Sequence, residues 1–242
     1  MVERADGRTP SQLRPVTIET GYLRHAEGSV MITVGGTQVL CAASVENRVP
    51  GFMRNSGSGW VTAEYNMLPR STNTRSRRRL DDGRSQEIQR LIGRSLRASI
   101  DLDRLTEKTI TLDCDVIQAD GGTRTAAITG AWIAMTMAVE WMQRKKLLPT
   151  SPIRSQLAAT SVGIVDGATL LDLDYGEDVG ASVDFNVVML STGQLVEVQG
   201  TAEGDPFDRQ QMNALVDMAE VGIKQLFEAQ TAALTEWREQ HR

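Results

Sequence analysis

The sequence predicts an α+β protein built of two halves, each running strands first and helix second. Three observations carry this expectation. Short β-rich runs broken by Gly-containing turns occupy residues 16–65 and 158–200. A stretch from about Thr125 to Lys145 is apolar on most sides, as a buried central helix would be. A second helical pattern closes the chain from Asp208 onward. Strands then helix, twice, without a close sequence repeat, point to one pseudo-symmetric domain over residues 1–242.

Taken in order, Val16-Thr17-Ile18 starts the first strand. Ser29 to Val34 and Thr37 to Val45 form a hairpin through Gly35-Gly36. A polar loop from Arg48 to Gly59 leads to a strand over Trp60 to Tyr65, and Arg70 to Gly83 reads as a flexible loop with almost no apolar residues. Ser85 is the expected N-cap of a helix, followed by Ile88, Leu91, Ile92 and Leu96 at helical spacing. In Lys108 to Gln118 the alternation of Ile110, Leu112, Cys114 and Val116 predicts a half-buried strand. Leu148 to Arg154 reads as a linker between halves. Then come strands over Ala158 to Val165 and Thr169 to Asp174, joined at Asp166-Gly167. A hairpin over Val183 to Leu190 and Gln194 to Gly200 turns at Thr192-Gly193. On the last helix Met212, Leu215, Met218 and Ala219 share a face.

The chain has 242 residues, 40% hydrophobic and 24% charged, enough to bury a sizeable core. No apolar run approaches the roughly 20 residues of a membrane helix, so no membrane partner is expected. The polar start, Met1 to Arg14, predicts no signal peptide. Cys41 and Cys114 lie far apart in strand-like contexts and read as core thiols in a reducing, cytoplasmic setting. Net charge is −5, yet 22 of the 26 basic residues are arginine, the better residue for gripping phosphate.

Three constellations could carry chemistry. Gly122, Thr123 and Arg124 combine a glycine turn, a helix start and a guanidinium, which makes a cradle for a phosphate-sized anion. Arg84, before another helix start, is a candidate fourth donor; an ordinary turn and a solvated arginine fit the same local pattern. Asp172, Asp174, Glu177, Asp178 and Asp184 form an acidic group that either holds a divalent cation or is a solvated loop. Arg70, Arg75, Arg77, Arg78 and Arg79 form a basic loop suited to a nucleic-acid backbone, or simply to solvent. No GxSxG, Walker, HExxH or EF-hand motif is present, so an attacking group would come from substrate or water.

The blocks as a set resemble the ribonuclease PH family, the bacterial phosphate-dependent 3′ exoribonucleases also called tRNA nucleotidyltransferases. The likeness runs through Arg4 with Asp6-Gly7-Arg8, Leu13-Arg14-Pro15-Val16 and His25-Ala26-Glu27-Gly28-Ser29. It continues through Gly59 to Tyr65, Met67 to Thr72, Gly83-Arg84, Glu87 to Ile92, Leu112 to Val116 and, most strongly, Gln118 to Gly130. Tyr175 to Val188 and Val196 to Gly204 complete it. The chain departs from the family in a shorter loop after Arg75 and in Phe185, where Met is usual.

The resemblance implies the ribonuclease PH-like fold, related to the second domain of ribosomal protein S5. It places inorganic phosphate, as co-substrate, on Arg84, Gly122, Thr123 and Arg124. It places the catalytic acids, which also bind Mg²⁺ (or Mn²⁺), on Asp178 and Asp184, and RNA on the Arg70 to Arg79 loop. The implied substrate is the 3′ tail of precursor tRNA, and the implied assembly is a homohexamer, a trimer of dimers. A non-catalytic ring subunit and a metal-dependent hydrolase are the alternative classes; released diphosphates, monophosphates or nothing would separate the three.

Overall fold

Period-two burial defines the first sheet. The computed structural model describes residues 4–77 and 83–241. Strands β1 (Val16–Thr20), β2 (Gly28–Val34), β3 (Thr37–Glu46), β4 (Trp60–Met67) and β5 (Thr109–Gln118) assemble in the order β1-β2-β3-β5-β4. The predicted Gly35-Gly36 hairpin sets Val34 opposite Thr37. In β5, Ile110, Leu112, Cys114 and Val116 are buried, as the alternation requires. β4 and β5 pair in parallel, which needs a crossover; α1 (Gly83–Ala98) supplies it.

The second sheet is antiparallel, with β6 (Leu157–Val165), β7 (Ala168–Leu171), β8 (Val183–Leu190) and β9 (Leu195–Ala202) in the order β7-β6-β8-β9. Between the sheets runs α3 (Thr123–Arg144), with α2 (Leu102–Leu105) ahead of it in the chain. α3 packs on β2, β3 and β5 on one side and on β6 on the other. Ile128, Ile133 and Met135 on it are wholly buried, each contributing about 1.5–3 kcal/mol of burial. One apolar cluster therefore joins Val30 and Ile32 of the first sheet to Leu157, Ala159 and Val188 of the second. A second cluster lies under α5 (Arg209–Gln240) and includes Leu215, Ala219 and Phe185. Phe185 meets Phe207 edge-on, with ring centroids 6.1 Å apart, so the larger ring fills a packed corner.

The structure corrects the sequence reading in four places. Ser85 is not an N-cap: the helix is already under way at Gly83, and Ser85 lies in its first turn, where small polar residues are equally tolerated. The Leu148 to Arg154 stretch is no free linker. Leu148 is buried, Ile153 bridges Ile100, and Asp101 N–H donates to Pro152 O at 2.7 Å. β7 stops at Leu171 because Asp172 takes a left-handed φ of 54°. The loop expected around Asp178 is a short helix, α4 (Tyr175–Gly180), opened by a capping box between Asp174 and Glu177.

Candidate active site

The cradle starts where β5 ends. Gly121 and Gly122 both take left-handed φ, 77° and 65°, which side-chain-bearing residues resist. At Gly121 there is also no room: a Cβ would lie 2.5 Å from the Leu173 carbonyl oxygen. Thr37 Oγ1 pins the turn, donating to Gly121 O at 2.6 Å and accepting from Asp120 N–H at 2.9 Å. α3 then begins at Thr123, two residues before the predicted start, with Gly122 as its cap. Its first N–H groups have no partner within the helix, and the helix dipole makes that end positive. Thr123 Oγ1 accepts from the buried Tyr65 hydroxyl at 2.8 Å, which fixes the side chain beside those N–H groups.

Facing the helix start is a cleft of about 390 Å³, lined by Arg124, Glu87, Asp184, Asn186, Gln199 and Thr201 among others. Strand alternation puts Asp184 and Asn186 on one face of β8, and register sets Thr201 and Gln199 of β9 opposite them. Arg124 Nη1 donates to Gln199 Oε1 at 3.1 Å. Burial pushes the Asp184 carboxyl up, the charge of Asp178 adds to this, and Arg124 opposes it. Asp178 reaches solvent, yet enough protein surrounds its carboxyl that desolvation raises it too; Arg124 and Arg84 pull the other way. Arg84 and Arg124 therefore both act on Asp178, and Arg124 and Asp178 both act on Asp184. The two acids suit a cation that is held mostly by substrate phosphate and water. Among the described residues no group of three or more His, Cys, Asp or Glu is placed to hold a metal.

The five acids predicted as one constellation divide. Asp172 is 3% exposed and ion-paired to Arg14 at 2.7 Å. Asp174 caps α4, and Glu177 pairs with Arg4 at 2.6 Å. Asp184, which lines the cleft, and Asp178, whose charge acts on it, are left with no ion pair among the described residues.

The sequence reading assigned no role to the partners of those paired acids. Arg4, Arg8 and Arg14 are all buried. Arg14 grips the Asp172 carboxylate with Nε at 3.0 Å and Nη2 at 2.7 Å, while Nη1 donates to Asp120 O in the cradle turn. Arg4 holds both oxygens of Glu177 and donates to Leu171 O and Asp172 O. The N-terminal arm thus ties the cradle turn to α4. A signal was available: three arginines within the first 14 residues, matched by acids at 172 and 177.

Of the basic loop, Arg70, Arg75 and Arg77 are exposed, and Arg70 Nη1 donates to Asn73 O at 2.9 Å. Arg78 and Arg79 lie outside the described residues. Ser71 O accepts from Ala119 N–H at 2.8 Å, which anchors the start of this loop beside the cradle. A larger cleft, about 710 Å³, opens elsewhere between α3, residues 151–156 and Arg238. Its Glu140 is paired with Arg238 and its Arg154 with Asp101, so it has no comparable set of uncompensated charge.

Two family models match the chain: 3′ exoribonuclease family, domain 1, over residues 12–139, and the same family, domain 2, over residues 155–222. The chain belongs to the 3′ exoribonuclease family. Among relatives in that family, Ribonuclease PH of Moorella thermoacetica is 56% identical over 235 residues, covering 96% of this chain and 94% of that protein. The expectation of a ribonuclease PH relative and its α+β fold is borne out. Rrp46 of rice (Oryza sativa) superimposes with a TM-score of 0.80 at 18% identity, over 96% of this chain and 100% of that one. A chain of the Archaeoglobus fulgidus exosome with RNA bound to the active site gives a TM-score of 0.74 at 21% identity, over 99% and 93%. At those identities the 3′ exoribonuclease fold is what is shared. Among the described residues no helix is long and apolar enough to cross a membrane.

Proposed function

We propose that this chain is a phosphorolytic 3′-to-5′ exoribonuclease that works at the cleft between Arg124 and Asp184. The carrying observation is that an arginine at a helix start and Asp184 line that cleft, with Asp178 close enough to act on both, and that neither aspartate has an ion pair among the described residues. Family membership and the 56% identical Ribonuclease PH support the same activity.

Inorganic phosphate sits on the α3 start, held by the N–H groups at Gly122 and Thr123 and by Arg124 and Arg84. The 3′ end of an RNA lies beside it, its backbone along Arg70, Arg75, Arg77 and the rest of that loop. A phosphate oxygen attacks the last phosphodiester phosphorus in line. The bond from that phosphorus to the 3′ oxygen of the preceding nucleotide breaks, a nucleoside diphosphate leaves, and the freed 3′ oxygen takes a proton. Asp178 and Asp184 would hold Mg²⁺, with Mn²⁺ as the substitute. Such an ion, when bound, supplies charge neutralisation at the scissile phosphate. The protein's part is positioning and electrostatics, which is why no protein nucleophile is needed. Because an anhydride forms as an ester breaks, the reaction runs backwards when diphosphates abound and adds nucleotides to 3′ ends.

The substrate in this reading is the 3′ tail of precursor tRNA, processed in the cytoplasm. The chain acts as one domain within a homohexamer built as a trimer of dimers. A 3′-extended tRNA incubated with and without phosphate tests the central claim. Nucleoside diphosphates released only with phosphate are expected; monophosphates, or release without phosphate, would overturn it.

A further inference from the structure

Arg124 and Asp184 line the same cleft with opposite charge, and among the described residues they form no ion pair. That needs a cause. An arginine beside a partly desolvated carboxylate ordinarily closes into a bidentate pair, and that pair would quench both groups. Here Arg124 Nη1 goes instead to Gln199 Oε1, at 3.1 Å. Gln199 is placed by the sheet: it is the register partner of Asn186, two pairs along from Asp184 and Thr201 and so on the same face. Asn186 Nδ2 in turn lies 3.4 Å from Asp184 Oδ1. Arg124 and Asp184 thus each have a neutral amide next to them, and the two amides face each other across β8 and β9.

We infer that Gln199 is a positioning residue, which holds the Arg124 guanidinium away from Asp184 and presents its remaining donors to phosphate. A neutral acceptor suits this task better than a carboxylate. It occupies one N–H and leaves the charge and four further donors for an anion. The inference rests on the reading of Arg124 as a phosphate ligand, so its test must separate the two ideas.

The test measures inorganic phosphate binding by calorimetry without divalent metal, alongside the phosphate dependence of phosphorolysis. It compares the parent chain, Gln199→Met, Gln199→Glu, Arg124→Ala and the double variant Gln199→Met/Arg124→Ala. Gln199→Met keeps the side chain's length and removes the acceptor. It is expected to raise Kd and KM for phosphate about tenfold, with kcat at saturating phosphate and the melting temperature little changed. Gln199→Glu is expected to be worse, because its carboxylate pairs with Arg124 and repels the anion. In the Arg124→Ala background, Gln199→Met should add nothing. Additive effects would mean that Gln199 touches phosphate itself, and an unchanged KM in Gln199→Met would remove it from the site; either overturns the inference alone. If Arg124→Ala leaves phosphate binding intact, the phosphate reading of the cleft falls as well.

Discussion

Glu177 and Asp178 are neighbours in the chain and opposite in fate. Glu177 is gripped by Arg4 through both oxygens and approached by Arg8. Asp178 has no ion-pair partner among the described residues, and its charge acts on Asp184. The same division separates Asp172, sealed against Arg14, from Asp184, which has no ion pair among the described residues. An acid that the fold has paired is architecture. An acid that the fold has partly desolvated and left without a counter-ion is available for a ligand that brings its own positive charge.

The sharpest way to break this division is to neutralise one acid on each side. Asp184→Asn should cost turnover about 1,000-fold or more, the scale set by losing a group that acts on transition-state charge. The fold should survive, and in metal-free solution the melting temperature should rise, since a carboxylate kept uneasy by burial and by Asp178 has gone. Phosphorolysis assays and thermal melts read both, and a normal rate would move Asp184 to the structural side. Arg14→Met is the converse. It leaves the buried Asp172 with only Arg8, at 3.6 Å, and the backbone N–H of residue 14 as partners, a loss of about 3 kcal/mol by denaturant unfolding. Adding Asp172→Asn should recover part of that loss; no recovery would mean that the carboxylate is not what Arg14 satisfies.

Smaller effects sharpen the comparison. Asp174→Ala removes the α4 capping box and should cost about 1 kcal/mol. It should also weaken Mg²⁺ dependence more than phosphate dependence, because only the acid side frays; an equal effect on both would mean that α4 does not position Asp178 separately. The mildest test is pH. Asp178 and Asp184 have raised pKa values in the folded state, so their contribution favours folding at low pH and is lost as pH rises through those values. Metal-free protein should therefore lose stability over that rise, and Asp178→Asn should flatten the curve. Asp6 is shifted downward by Arg8, against the cost of burial, and its contribution runs the other way, fading as pH falls. A metal-free curve with no such slope would leave the two acids unstrained.

Much of the fold was legible because strong periodicity needs few long-range contacts to be read. Period two in β5 and an apolar run long enough for α3 announced themselves, as did the Gly35-Gly36 hairpin. The glycine turn and helix start were legible for the same reason: Gly122, Thr123 and Arg124 are contiguous. The division among the acids was not, because it depends on residues more than 150 positions away. Arg4 and Arg14 carry no local pattern that ties them to particular acids; only the crowding of arginines near the chain start hints at it. α4 escaped because six residues with two glycines carry almost no helical pattern. Only the Asp174 and Glu177 spacing marks it, and that spacing fits an acidic loop equally well.

α3 has one further consequence. The same helix is the keel on which both sheets rest and, in the proposed function, carries the anion socket at its first turn. Residues 125–139 on it are all buried, so its start cannot drift without disturbing the packing behind it. Heat inactivation should then coincide with global melting, with no loosened intermediate that still grips phosphate. Changes that adapt this molecule to other RNAs are cheapest in the surface loops, where they leave that keel alone.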